Sequence, residues 1–155
     1  MHSHRVYVGV SFAVLILRST TTQNRVAQVL HIDLVKPAAD NPHFEHGYNT
    51  AAENYLIPLA ADKGVGVIIN RPFESGSLFD TVSTTNLPSW AGDWGITTWA
   101  AFFLKYLISN VNISCTIPAT SQVNHLEENM AASLEPLPDG VTRKKMVEFY
   151  KNNVK

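Results

Sequence analysis

The sequence predicts an α/β fold, a partial (β/α)8 TIM barrel of about four βα units plus a C-terminal helix, in one domain spanning residues 1–155. Three observations lead there. Short β-branched, apolar runs at residues 6–11, 29–35, 65–70 and 113–117 alternate with segments of helical period. Alternation of that kind builds a parallel sheet with right-handed crossovers. Hydrophobic residues make up 45% of the chain and charged ones 16%, enough apolar material to bury a core. A complete eight-unit barrel takes about 250 residues, so a chain of 155 is expected to supply half of one.

Each element follows from its own residues. Residues 6–11 form the first strand, and the barrel pattern then asks for a helix over 13–27, despite the poor helix formers Thr20-Thr21-Thr22. Residues 29–35 give a second strand closed by Pro37. Residues 36–49 are a long loop carrying Pro37, Pro42 and Gly47, a length that in compact domains accompanies function or disorder. Thr50 opens a helix with Ala52, Tyr55, Leu56, Leu59 and Ala60 as its buried stripe, and Gly64 ends it in a left-handed cap. The strand at 65–70 is nearly all apolar, hence covered on both faces.

Residues 71–95 read as a second long loop, broken by Pro72, Gly76 and Pro88 and packed down by Trp90 and Trp94. Thr97 or Thr98 starts a helix with Trp99, Phe102, Phe103, Tyr106 and Leu107 on one side. The last strand, 113–117, stops at Pro118. Thr120 or Ser121 then caps a helix whose apolar face is Val123, Leu126, Met130 and Leu134. Pro136 and Pro138 break the chain before a terminal helix, 141–151, that rests on Met146, Val147 and Tyr150.

Composition removes several function classes. A net charge of −1 without a basic stripe argues against nucleic acid as a partner. The single cysteine, Cys115, excludes an internal disulfide or a cysteine-based zinc cluster and is expected to pack as a small hydrophobe. Residues 1–17 imitate a signal peptide, but no small-residue cleavage site follows and the run is too short to span a bilayer. A buried strand and a cytoplasmic location without membrane contact are expected instead. His43-Phe44-Glu45-His46 offers zinc-type ligands without the helical i, i+4 spacing of a metallohydrolase, so it reads as a solvated loop and no metal is expected. Nucleophile-elbow, P-loop and Rossmann glycine motifs are absent from the sequence.

The turn after the last strand is the chemically suggestive stretch. A polar turn leading into a helix aims backbone N–H groups and a dipole end at one spot, where a phosphate can sit. On local chemistry alone, an ordinary serine-capped βα connection is the simpler account. In eight-stranded barrels a phosphate commonly lies between the loops after strands seven and eight, here 70–76 and 118–121. Arg71 is the cation available there, and Gly76 permits close backbone approach. A surface arginine in a salt bridge is the competing account.

Four segments in order carry a family resemblance. Ile117-Pro118-Ala119-Thr120-Ser121 with His125-Leu126 and Glu128-Asn129 resembles the last βα unit of aldo-keto reductases. Arg5-Val6-Tyr7-Val8-Gly9-Val10-Ser11 is similar to their fifth strand. Residues 51–73, with Gly66-Val67-Ile68-Ile69-Asn70-Arg71-Pro72-Phe73, resemble helix six and strand seven, and Trp99-Ala100-Ala101-Phe102-Phe103-Leu104-Lys105-Tyr106 resembles helix seven. Residues 1–49 are the least family-like.

The resemblance implies an NADP-binding site, with NAD as the other candidate, formed by Ser11, Lys36, Asn70, Arg71, Pro72, Phe73, Gly76, Ile117, Pro118, Ala119, Thr120, Ser121, His125, Glu128 and Asn129. Ser11 and Lys36 would lie near the nicotinamide amide, and Glu128 with Asn129 would read the adenine edge. The sequence departs from the pattern in two of these places. Phe12 stands where the family has asparagine, and His125 stands where many members carry an arginine on the 2′-phosphate. Neutral histidine is the weaker phosphate clamp.

Family members reduce carbonyls by hydride transfer, with a tyrosine donating the proton and a lysine, aspartate and histidine assisting. Those four come from the first half of the barrel, so no catalytic residue is assigned here, Tyr48 included. The expected function is therefore the cofactor-binding half of an oxidoreductase, a fragment inactive alone, which would meet a carbonyl substrate once the other half is supplied. The alternative is a non-catalytic half-barrel that pairs with itself or another chain through two open sheet edges.

Overall fold

A computed structural model describes residues 12–13, 16–17, 29–33 and 52–154. The expectations placed on residues 6–11 and 36–49, with Ser11, Lys36, Tyr48 and the His43–His46 stretch, lie outside the described residues.

Parallel pairing organises the sheet. Strands β1 (Phe12–Ala13), β2 (Ile16–Leu17) and β3 (Val29–Asp33) precede a π-helical turn at Ala52–Leu56 that runs into α1 (Ile57–Asp62). Next come β4 (Gly66–Asn70), a 3-10 turn at Glu74–Gly76, α2 (Ser77–Val82), a second 3-10 segment at Ser89–Trp94 and α3 (Trp99–Ile108). The chain ends with β5 (Cys115–Ile117), β6 (Ala119–Thr120), α4 (Val123–Ala131) and α5 (Gly140–Asn153). The main sheet has the order β2-β5-β4-β3. β3, β4 and β5 run parallel, with Val29 opposite Gly66 and Ile68 opposite Cys115. The architecture is thus mixed α/β with a small, partly parallel sheet.

Two expectations change at the N-terminal side. The helix expected over 13–27 is replaced, where the chain is described, by β1 and β2, which pair antiparallel with β6 and β5. Phe12-Ala13-Val14-Leu15-Ile16-Leu17 is rich in apolar and β-branched residues, and such a run fits a strand against an existing edge as well as it fits a helix. β2 also pairs with the outer edge of β5, so among the described residues the outer strand on that side is the antiparallel β2 rather than the parallel strand expected of a half-barrel.

The π-helical opening shifts the buried face of the next helix. A π turn brings residues i and i+5 together, and the residues that disappear are Ala52, Ile57 and Ala60. Tyr55, Leu56 and Leu59 point outward at 74, 44 and 54% exposure, against the expected stripe. The helix ends as its sequence demands. Gly64 has φ +65°, with Gly64 N–H donating to Ala61 and Val65 N–H to Ala60, the paired bonds of a Schellman cap.

β4 hides Val67 and Ile69 completely and leaves Gly66, Ile68 and Asn70 half-buried, so its second face is less covered than expected. Residues 71–95 are not a loop. α2 and two 3-10 turns occupy them, and Leu78 and Val82 join the core. Trp90 does pack as expected, its ring 6.4 Å from Phe102 and 6.3 Å from Phe149, with the Lys145 ammonium 4.4 Å above it.

α3 is the central element. Thr98 caps it by accepting a hydrogen bond from Ala101 N–H at 3.1 Å. Every residue from Ala100 to Ile108 is buried, so the helix is enclosed rather than one-sided. Phe103 meets Phe79 of α2 and Tyr150 of α5 edge-on, and Trp99 stacks on Phe103 at 5.7 Å. The enclosure includes Lys105, whose Nζ donates to the backbone carbonyls of Leu134 at 2.6 Å and Pro136 at 2.9 Å. At the next residue, Tyr106 O–H donates to Glu53, which also pairs with Arg143, tying the π turn to α3 and α5. Burial, with the Glu53 carboxylate adding to it, pushes the Tyr106 hydroxyl far above its usual range. Among the described residues no helix is long and apolar enough to cross a membrane.

Candidate functional site

Register decides where the site forms. Because β4 and β5 are parallel neighbours with Asn70 opposite Ile117, both chains leave the sheet at the same edge. The turns that follow therefore face one another across a cavity of about 640 Å³. Its lining includes Asn70, Arg71, Pro72, Phe73 and Gly76 from the first turn, Ile117, Ala119 and Thr120 from the second, and His125, Glu128 and Asn129 from α4. All of these were expected site residues. Pro118 and Ser121 were expected too but do not line it. Pro118 is enclosed, and Ser121 is exposed.

The first turn is held in an uncommon backbone state. Arg71, Glu74, Ser75 and Gly76 have φ of 51, 54, 57 and 101°, and only the last is a glycine. Left-handed geometry costs an L-residue roughly 1–2 kcal/mol, and such outliers gather at ligand-binding turns. Local bonds hold it: Glu74 N–H donates to Arg71 O at 3.0 Å and Gly76 N–H to Phe73 O at 2.8 Å. The Arg71 guanidinium donates to Ser75 Oγ through Nε at 2.9 Å and Nη2 at 2.5 Å.

The second wall is aromatic. Phe73 and Phe79 lie 5.0 Å apart, and Thr98, Trp99 and Ala100 from the first turn of α3 complete it. The Trp99 indole N–H is spent on Thr85 O at 2.9 Å, so the ring offers carbon to the cavity. Ser75, Phe79, Thr98, Trp99 and Ala100 escaped sequence reasoning as site residues. Ser75 and Phe79 fell in a stretch read as loop, and a capped helix start gives no sign of lining a cavity.

α4 supplies the third wall, and of its expected apolar face only Leu126 packs against the core. Val123, Met130 and Leu134 are 61, 56 and 64% exposed, while Asn129 is only 2% exposed; Ala132 is buried and Leu126 half-buried. Asn129 lines the cavity. Thr120 Oγ1 accepts from Gln122 N–H at 3.1 Å instead of capping the helix, whose N-cap Gln122 contributes no side-chain bond. The cavity thus joins an arginine, a buried amide, a carboxylate and a flat apolar wall. Such a mixture suits a ligand with an anionic part and a planar part. Among the described residues no group of histidine, cysteine and carboxylates could hold a metal.

Compared with protein-family models, curated proteins and solved structures, the chain matches none.

Proposed function

We propose that this chain is the cofactor-binding half of an aldo-keto reductase-like oxidoreductase, with a partial TIM barrel as its scaffold and an NADP-type nicotinamide dinucleotide in the cavity, NAD being the other candidate. One observation carries the reading: the turns after two adjacent parallel strands line a single cavity and bring Arg71, His125, Glu128 and Asn129 to it. The sequential neighbours β3, β4 and β5 also follow the order of consecutive barrel strands.

The residues present fit such a group. Arg71 would neutralise a phosphate through the Nη1/Nη2 edge of its fork, which Ser75 does not occupy. Gly76, at φ 101° with open space where a Cβ would stand, leaves the backbone approachable. Asn129 offers both an amide donor and a carbonyl acceptor to a base edge. When bound, the dinucleotide supplies the hydride for carbonyl–alcohol interconversion. In this reading the proton-donating tyrosine and its partners belong to chain outside the described residues, and the location is cytoplasmic.

NADPH fluorescence titration tests it. A saturable change in emission is expected, and Arg71→Ala should weaken affinity tenfold or more, as loss of a charge-assisted bond of roughly 1.5–3 kcal/mol implies. An unchanged spectrum up to millimolar NADPH sinks the reading.

The second reading, a non-catalytic assembly module, draws on the outward apolar side chains of Val123 and Met130 on α4 and of Leu134 just beyond it. It predicts a concentration-dependent dimer by light scattering without NADPH affinity.

A further inference from the structure

Resting on the anion-site reading above, we infer that Ser75 is a positioning residue that aims the Arg71 guanidinium into the cavity. Ser75 and Arg71 both line that space, and both side chains are exposed. An arginine on a surface ordinarily samples many rotamers. Here two N–H groups of one fork, Nε and Nη2, converge on a single hydroxyl oxygen. That fixes the plane of the guanidinium and leaves its outer edge to meet an anion.

The backbone at Ser75 makes the arrangement unusual. With φ 57° and ψ 23° this position favours glycine, as does the next, where Gly76 does stand. Glycine at 75 would relax the turn but remove the acceptor. Serine keeps the acceptor at the expense of a strained backbone. Strained backbone gathers at ligand-binding turns, and at Ser75 it coincides with the hydroxyl that bonds Arg71.

The two roles separate in the variants. If residue 75 only shapes the turn, Ser75→Gly leaves anion affinity unchanged or improves it. If it positions Arg71, Ser75→Gly and Ser75→Ala both lose affinity, although the glycine variant melts no lower than wild type. Ser75→Asn, which tolerates the left-handed state and carries a side-chain acceptor, restores part of the loss.

The probe is inorganic pyrophosphate, followed by calorimetric titration of the full chain, with NADPH in a parallel arm. Ser75→Gly is expected to bind pyrophosphate roughly three- to tenfold more weakly, the effect of freeing one rotamer-rich side chain. The same change in an Arg71→Ala background should have no effect. Wild-type affinity in Ser75→Gly, or an equal loss with Arg71 already removed, overturns the inference. Pyrophosphate binding that depends on Ser75 without any NADPH binding upholds the positioning role and removes the dinucleotide reading. Failure of wild type to bind either anion overturns both.

Discussion

Lys105→Met is a perturbation whose sign can be worked through from the structure. Lys105 is 2% exposed on the enclosed helix α3, and its ammonium donates to the carbonyls of Leu134 and Pro136. Those carbonyls belong to the segment that leaves α4, so the lysine fastens one cavity wall to another. Removing it strands two acceptors, at roughly 1–3 kcal/mol for each one that stays dry. Two effects reduce this. Leu134 is 64% exposed, so water can reach part of the site, and the desolvation of a buried ammonium is no longer incurred. A net loss of about 1–2 kcal/mol at pH 7 results, lowering Tm by about 2–8 °C in a chain of this size.

The pH dependence is the sharper part of that prediction. Burial lowers the Lys105 pKa from its ordinary 10.5, with the Glu135 carboxylate opposing. Between the lowered folded value and 10.5 the unfolded chain keeps a proton that the folded chain has shed. Stability from this group therefore rises with pH through that window. Cys115, Tyr106 and Tyr150, all raised by burial, act in the opposite direction at alkaline pH, but they are present in both proteins and cancel in the difference. Urea unfolding of wild type and variant, followed by tryptophan emission from neutral to alkaline pH, reads this directly. The gap in stability should widen as pH rises. A variant as stable as wild type at pH 7, or a gap that narrows with pH, refutes the reasoning.

Two further substitutions follow. Thr98→Ala removes the cap on Ala101 N–H and should cost about 1 kcal/mol, read as a lower urea midpoint with an unchanged slope. Thr116→Val should do the reverse: Thr116 is fully buried and, among the described residues, its Oγ1 has no hydrogen-bond partner. Deleting an orphaned hydroxyl is expected to stabilise the fold by about 1 kcal/mol, and a drop in Tm would show that the hydroxyl has a partner in solution.

Much of the second half of the fold is legible in the sequence because local signals there agree with one another. Gly64 terminates α1, Thr98 begins α3, and Met146 with Tyr150 defines the buried face of α5. Each rests on short-range chemistry that no distant contact reverses. The 12–17 stretch is different. Its apolar run carries no period, so the choice between helix and strand falls to whichever edge it meets, and the edges of β5 and β6 were available. At residues 52–60 the periodicity was present but a π turn changed the period, which hydropathy alone does not reveal.

The remaining misreadings fall on the cavity itself, for a common reason. Burial is inferred from hydropathy on the premise that protein-facing sides are apolar. A helix bordering a polar cavity breaks that premise: α4 buries Asn129, sets His125 and Glu128 on the cavity lining and leaves Val123 and Met130 outside. The turn after β4 breaks a second premise, that non-glycine residues avoid left-handed geometry, at Arg71, Glu74 and Ser75. Local preference and final structure thus disagree where two strand ends meet, as they also do at residues 12–17 and 52–60. Conflict of this kind beside a cavity is what a ligand site would produce. That argument is independent of any resemblance, because it uses only backbone angles, exposure and the register that sets Asn70 opposite Ile117.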